Sequence, residues 1–463
     1  MSGVSFLLRV SLHGFRGRSK SGEPQPDTIQ EKPPSKKPLI TPETQTVLLL
    51  HAARQPYELT ENYSVPDLRN DSEVLVQTRA IGLNPVDWKA PDFNFAIPEL
   101  PYIAGRELAG EVVKQRSSRL KVGDRVLVIS TDYRDLRKSA FQHYVVSLDY
   151  NTVRLPPSIS YEEGSTLGVA FVAAALSLGV CMGLDFSSVL DGPDLYSLIR
   201  QLSPDVLAPD VRDECLNSLP SQERAQPGDW IAVWGGSSTS ANLTIQLARL
   251  AGLRTIAVAD TAKHGVRLSN HRSTRPDLLV DSHDPARAVT VIRANVARNG
   301  GNSVRFAIDT RGKDSAAWLA RALTRDYEEP EKNGTAATNE DKSPAGAPPS
   351  PPSTLDDHDS SSDSGSRQPT ALPPNAHLVG LTGLPKGPAP EGVVYHTVPI
   401  KVFHEVPAVG RALVEWLERL LARGLVAPPD IIDVERGLES VNRGLDRMRR
   451  GEISGGKLVV RLD

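Results

Sequence analysis

The sequence predicts an α/β chain in which a β-rich domain precedes a doubly wound parallel-sheet domain, and three observations carry that prediction. Apolar runs of strand length crowd residues 44 to 146, split by Gly, Pro and Asp turns. Residues 228 to 260 read strand, turn, helix, strand. Strand-length and helix-length segments then alternate to the end, as a parallel sheet with helical crossovers requires.

Length and composition narrow the classes. A chain of 463 residues exceeds one ordinary core, so two domains with extra segments are expected. A formal net charge of −3 supplies no basic field for nucleic acid. Two cysteines, Cys181 and Cys215, cannot build a disulfide scaffold and lack metal-ligand spacing, which points to a reducing, cytoplasmic setting. No apolar run is read as reaching the roughly 18 to 20 residues of a membrane helix, so no membrane partner is expected.

Residues 1–43 carry Arg9, Arg16, Arg18 and Lys20 with no acid before Glu23, then turn rich in Pro and Lys. They are expected to be a disordered extension, with a mitochondrial transit peptide as the alternative. Strands are expected at 46–50, 73–81, 108–113, 125–129 and 140–146, within a β-rich domain spanning 44–175. One helix over 161–179 should link the domains, with Val169 and Ala170 in its first turns. Residues 176–227 hold the end of this linker and a helical insertion, punctuated by Pro193, Pro204, Pro209 and Pro227. The insertion is a candidate cleft lid or partner surface, and Cys215 within it a buried small side chain.

The stretch from Gly228 to Asp260 organises the second domain. An apolar strand, Ile231-Ala232-Val233-Trp234, runs into the small-residue turn Gly235-Gly236-Ser237-Ser238-Thr239-Ser240-Ala241. Leu243, Leu247 and Leu250, with Ile245 and Ala248, form a stripe at helical spacing that Gly252 stops. A helix start leaves N–H groups free, and its positive terminus favours phosphate, so this turn is a candidate diphosphate cradle. The dinucleotide fingerprint wants three glycines, whereas hydroxyls fill the middle here and Ala241 stands last. Asp260 stands where a carboxylate grips an adenosine ribose, favouring NAD(H). Thr261 follows it, and Lys263, His264 and Arg267 could pair with a 2′-phosphate instead, favouring NADP(H).

The domain continues through expected strands at 278–281 and 304–310, a helix across 286–296 and another over 314–324, all within a first part at 228–326. Residues 327–374 are low in complexity, with Pro-Pro-Ser repeats and an Asp/Ser tract, and are expected to form a disordered loop. Residues 375–463 complete the domain with a strand at 376–383, a helix over 409–421 and a return to the first domain.

Particular stretches carry a family resemblance. Ala80-Ile81-Gly82-Leu83-Asn84-Pro85-Val86-Asp87-Trp88-Lys89, Gly105-Arg106-Glu107-Leu108-Ala109-Gly110-Glu111-Val112-Val113 and Val122-Gly123-Asp124-Arg125-Val126 resemble the GroES-like domain of the medium-chain dehydrogenase/reductase superfamily. The closing Gly451-Glu452-Ile453-Ser454-Gly455-Gly456-Lys457-Leu458-Val459-Val460 resembles its final segment. Tyr133-Arg134-Asp135, Phe141-Gln142 and Ala259-Asp260 with Lys263-His264-Gly265 are similar to fungal ToxD-like oxidoreductases and trans-acting enoyl reductases.

The resemblance implies a GroES-like domain joined to a Rossmann domain and an NAD(P)H-dependent reduction of an activated C=C bond in an enoyl or enone substrate. It implies a polyketide synthase as partner. Where zinc-dependent members carry Cys and His, this chain has Asn84 and Arg106, and Glu107 alone remains, so no zinc is expected. By the same match Asn84 and Lys89 are candidate catalytic residues, the first as an oxyanion donor, the second toward phosphate or the substrate carbonyl. Asn84 also reads as a turn residue and Lys89 as a solvated cation. Val86, Asp87, Trp88, Leu381, Thr382, Ser454, Gly455 and Lys457 are implied to approach the cofactor. The tract 131–138 is implied to border the substrate cleft, although its charges also suit a solvated loop. Quinone reduction, or cofactor binding without turnover for partner contact, are the rival readings, and the oligomeric state stays open.

Overall fold

The structure is a computed structural model that describes residues 41–298, 304–324 and 374–463. The expected N-terminal extension up to residue 40 and the low-complexity segment over 325–373 lie outside the described residues.

Six strands form one all-parallel sheet in the order Leu278–Asp281, Arg254–Ala259, Trp230–Trp234, Phe306–Asp309, Ala376–Gly380, Val393–His396. In chain order this is three-two-one-four-five-six, the doubly wound arrangement. The order reverses between Trp230–Trp234 and Phe306–Asp309, so a crevice opens at their carboxyl ends.

Burial on both faces explains why the first strand is apolar throughout. Ile231 and Val233 point into a core shared with helices Gly168–Leu176, Thr239–Leu250 and Pro407–Ala422. Trp230, Ala232 and Trp234 point the other way, toward helices Pro285–Arg298 and Lys313–Leu323. The last strand, Val393–His396, has no counterpart in the sequence reading; four residues with a polar end give too short a pattern.

The smaller lobe is a seven-stranded sheet ordered Ile431–Arg436, Lys457–Arg461, Glu73–Gly82, Glu107–Gln115, Arg125–Ile129, Thr152–Arg154, with Tyr144–Leu148 also paired to Glu73–Gly82. Its members come from both ends of the described chain. Strand Lys457–Arg461 lies antiparallel to Glu73–Gly82, with Val459 opposite Gly82. The expected run at 140–146 is corrected: the strand begins at Tyr144, while Gln142 makes an isolated bridge to Val47 and the Phe141 carbonyl accepts from Leu48 N–H at 3.0 Å. A further strand, Glu58–Ser64, hairpins onto Thr44–Leu49; its polar, exposed residues show no alternation to read.

The linker is two helices rather than one. Tyr161–Gly164 ends where the Ser165 and Thr166 hydroxyls donate to the carbonyls of Glu162 and Glu163, at 2.8 and 2.7 Å, and Gly168–Leu176 starts afresh. Tyr161–Cys181 is nevertheless long and apolar enough to cross a membrane by length and composition, against the sequence expectation. Its apolar window is 89% buried within the protein, which is the environment of a core helix.

The insertion is part of the same core. Leu184, Phe186, Leu195, Ile199 and Cys215 are buried there. Trp416 packs at a tilt against Phe186, 4.6 Å between ring centres, and donates from Nε1 to the Val189 carbonyl at 3.0 Å. Among the described residues, none from 182–226 lines the cleft, so the insertion is a buttress behind the sheet and not a lid.

Candidate functional site

A cleft of about 460 Å³ lies at the carboxyl ends of the strands on either side of the order reversal. Trp234, Gly235, Ser237, Ser238 and Thr239 form its floor, and Val258 to Asp260 with Lys263 and His264 one wall. Thr310 and Arg311 come from beyond the fourth strand, and Leu83, Pro85 and residues 453–458 from the smaller lobe.

The floor is a rigid turn. Gly235 has φ +80, and a Cβ there would stand 2.3 Å from Thr310 Oγ1. At Gly236 a Cβ would meet that of Ala257 at 2.8 Å, so the turn hugs the neighbouring strand. The N–H groups of both glycines donate to Val258 O at 3.0 and 2.9 Å. Ser238 caps the helix, accepting from Ala241 N–H at 3.1 Å, and donates its hydroxyl to Thr310 Oγ1 at 2.9 Å. Thr239 and Ser240 occupy the first helical turn, where N–H groups have no carbonyl within the helix. They and the helix dipole face the cleft floor as an anion cradle.

On the wall, Asp260 caps helix Thr261–Asn270 by accepting from Lys263 N–H at 2.9 Å, and its other oxygen lies 3.6 Å from His283 Nε2. The Lys263 ammonium and Arg311 guanidinium have no ion-pair partner among the described residues. The lobes meet across the cleft. His264 Nε2 shares a hydrogen with Ser454 Oγ at 2.9 Å, and Arg267 pairs with Asp430 at 2.8 Å. Burial, followed by the charges of Arg267 and Lys263, lowers the His264 pKa.

Behind Pro85 and Leu458 lies a buried polar cluster. Lys457 Nζ donates to Asn84 Oδ1 at 2.9 Å and pairs with the Glu107 carboxylate. Asn84 Nδ2 donates to Glu107 Oε1 at 2.9 Å and to Gly82 O at 3.2 Å, and Glu107 Oε2 accepts from Val169 N–H at 2.9 Å. Asp87 accepts from Asn84 N–H at 2.7 Å. Burial outweighs that bond and the Arg106 charge and pushes the Asp87 carboxyl up to about 7.

Of the residues singled out from the sequence, the cleft gathers Gly235, Ser237, Ser238, Thr239, Asp260, Lys263, Ser454 and Gly455, and also Lys457. Gly236 lies beneath the floor. Others are corrected. Both amide hydrogens of Asn84 are committed to Glu107 and Gly82, so it has none for an oxyanion. Lys89 points away over the Trp88 ring, 5.6 Å from its centre, and does not line the cleft. Val86, Asp87 and Trp88 share helix Pro85–Phe93, whose first residue alone reaches the cleft, while Asp87 turns back to its own helix start and Trp88 packs on the small-lobe core. Thr261 donates its hydroxyl to Asp281 at 2.7 Å. Leu381 packs on the large-lobe core, Thr382 is exposed, and neither lines the cleft.

The tract 131–138 is folded into its own ion pairs. Asp132 binds Arg134 and Lys138 at 2.9 and 3.1 Å, and Arg137 binds Glu73 and Asp135 at 2.9 and 2.7 Å. It borders a separate small cavity beside His404, not the cleft. Sequence reasoning missed Thr310 and Arg311. The signal was Thr310 directly after an apolar strand, at the reversal point.

Residues 70–157 match the family described as the alcohol dehydrogenase GroES-like domain. The chain is similar to the trans-enoyl reductase eqxC of Fusarium heterosporum, 26% identical over 422 residues that cover 87% of this chain and 95% of that protein. It is 30% identical over 281 residues to the trans-enoyl reductase caaB of Aspergillus niger, covering 60% of this chain and 66% of that one. Among solved structures, an alcohol dehydrogenase superfamily protein from Novosphingobium aromaticivorans superposes with a TM-score of 0.60 at 17% identity, over 91% of this chain and 100% of that one. This last likeness is one of fold.

Proposed function

Since the chain belongs to the medium-chain dehydrogenase/reductase superfamily, we propose that it is an NADPH-dependent reductase of an activated C=C bond, acting on an enoyl thioester or enone. The observation that carries the reading is the position of the Gly235–Thr239 turn, with open helix amides, at the reversal point of a doubly wound sheet.

The residues present fit a dinucleotide. Amides of Thr239 and Ser240, with the Ser237 hydroxyl, would hold the diphosphate. The cations Lys263 and Arg311, without an ion-pair partner among the described residues, suit a ribose 2′-phosphate, and this favours NADPH over NADH. When bound, the reduced nicotinamide supplies hydride to the β-carbon of a double bond polarised by its carbonyl. The chain's own part is to orient and to exclude water: the loop at Ser454 and Gly455 closes over the floor through His264.

No metal is assigned to the reduction. The Asn84 oxygen and the Glu107 carboxylate both bind the Lys457 ammonium, and Arg106 carries a guanidinium, which ligates no cation. A polyketide synthase is the partner class, in keeping with the trans-enoyl reductases among the relatives.

The test is a calorimetric titration with NADPH and with NADH, followed by hydride transfer to a short enoyl thioester in the presence of a chelator. Binding with turnover that chelation leaves unchanged is expected. Silence toward both coenzymes would end the reading, and turnover with small quinones alone would replace it with quinone reduction.

A further inference from the structure

On the far side of the sheet, buried polar groups gather without contact with the cleft. Cys181 ends the turn Ser177–Cys181, Glu214 sits in helix Pro209–Leu216 of the insertion, and His396 ends the outermost strand. Their ligand atoms all lie within 4.8 Å of one another. Cys181 and His396 are fully buried. None of the three lines the cleft.

Glu214 Oε1 lies 2.8 Å from His396 Nδ1, and His396 Nε2 lies 2.9 Å from His377 Nδ1. His377 Nε2 stands 3.3 Å from Glu223 Oε2 without a hydrogen bond to it. The cluster is thus a buried thiol, carboxylate and imidazole converging on one point, with a second imidazole behind the first.

We propose that Cys181, Glu214 and His396 bind a divalent transition-metal ion of the zinc class, which locks the insertion to the edge of the parallel sheet. A thiolate, an imidazole nitrogen and a carboxylate are a zinc ligand set, with a fourth position for water. With the ion on Nδ1, His396 Nε2–H donates to His377 Nδ1, an outer-shell partner that fixes the tautomer and orientation of the ligating ring. Burial holds the Cys181 thiol protonated when no ion is bound. Loading the site therefore releases the proton of the Cys181 thiol.

The same helix supplies a control. Cys215 adjoins Glu214 in sequence but stands outside the ligand cluster. The full chain is stripped with chelator and titrated with cobalt(II), which reports a sulfur ligand by a thiolate-to-cobalt absorption band. One equivalent with that band is expected in the unaltered protein and in Cys215→Ser, with loss of the band in Cys181→Ser. A titration of the unaltered protein that shows no band overturns the proposal, whatever the variants do. A band kept in Cys181→Ser and lost in Cys215→Ser overturns it too. Coenzyme binding by the stripped protein is read in parallel, so failure of the metal site and failure of the reductase reading are told apart.

Discussion

The ammonium of Lys457 lies 2.9 Å from the amide oxygen of Asn84 although 373 residues separate them. The same ammonium pairs with Glu107, so one buried cation joins the final strand to two elements of the small lobe. Removing one member strands the other's charge in a dry site.

Lys457→Met should therefore destabilise the protein by about 3–5 kcal/mol, because Glu107 is left buried and uncompensated. The double variant Glu107→Gln with Lys457→Met should recover part of the loss. Urea unfolding of the singles and the double measures the coupling; an additive double would show that the pair does not act as a unit.

Gly235→Ala places a methyl group 2.3 Å from Thr310 Oγ1 on a residue at φ +80. The turn must open, and the Ser238 to Thr310 bond goes with it. Coenzyme affinity should fall by at least about tenfold, the equivalent of about 1.4 kcal/mol. Fluorescence titration reads this, and an unchanged Kd would remove the turn from the binding site.

Coenzyme choice rests on Lys263 and Asp260. Lys263→Ala should weaken NADPH binding and leave NADH binding nearly unchanged. Asp260→Asn keeps an oxygen for the Lys263 N–H and removes a negative charge from the wall, so NADPH should bind more tightly. Replacement by Ala would confound the result with the loss of a helix cap, worth about 1 kcal/mol. Parallel titrations with both coenzymes decide it; equal changes for the two would show that this wall does not meet the ribose.

Asp87 sets a pH dependence. Its carboxyl is pushed from 3.8 up to about 7 by burial. The folded state thus holds the proton more tightly than the unfolded chain. Its contribution is fully present below the unfolded pKa, and it is lost as pH rises through about 7. Asp87→Asn has nothing to ionise. Its stability relative to the unaltered protein should rise across that window, by at most about 1.4 kcal/mol per pH unit. Thermal melts at intervals from pH 4 to 8, chosen to span it, should show the two curves diverging.

Much of the large lobe was legible because its signals are local. The Leu243, Leu247, Leu250 stripe, the Gly235–Thr239 turn and the apolar first strand each declare themselves within a dozen residues. What escaped is set by distance or by polarity. Lys457 gives no sign in sequence that it faces Asn84, and Cys181, Glu214 and His396 meet only because an insertion helix docks on an edge strand. The break after Tyr161–Gly164 depends on two hydroxyls folding back on their own turn, in a stretch whose composition reads as continuous helix. Catalytic roles for Asn84 and Lys89 followed position in a motif. Hydrogen bonds to Glu107 and Gly82 commit the first and the Trp88 ring holds the second away, and a motif records neither contact.

Strand Lys457–Arg461 lies beside Glu73–Gly82, so the small lobe is stitched from the two extremities of the described chain. During synthesis the early strands must wait, one sheet edge bare, for nearly four hundred residues of later chain to leave the ribosome. A nascent chain stalled before Lys457 has six of the lobe's seven strands but no ammonium for Glu107, and lacks Lys457 and Leu458 from the cleft lining. Quality control is thereby written into the topology: an incompletely translated copy has no means of assembling a working site.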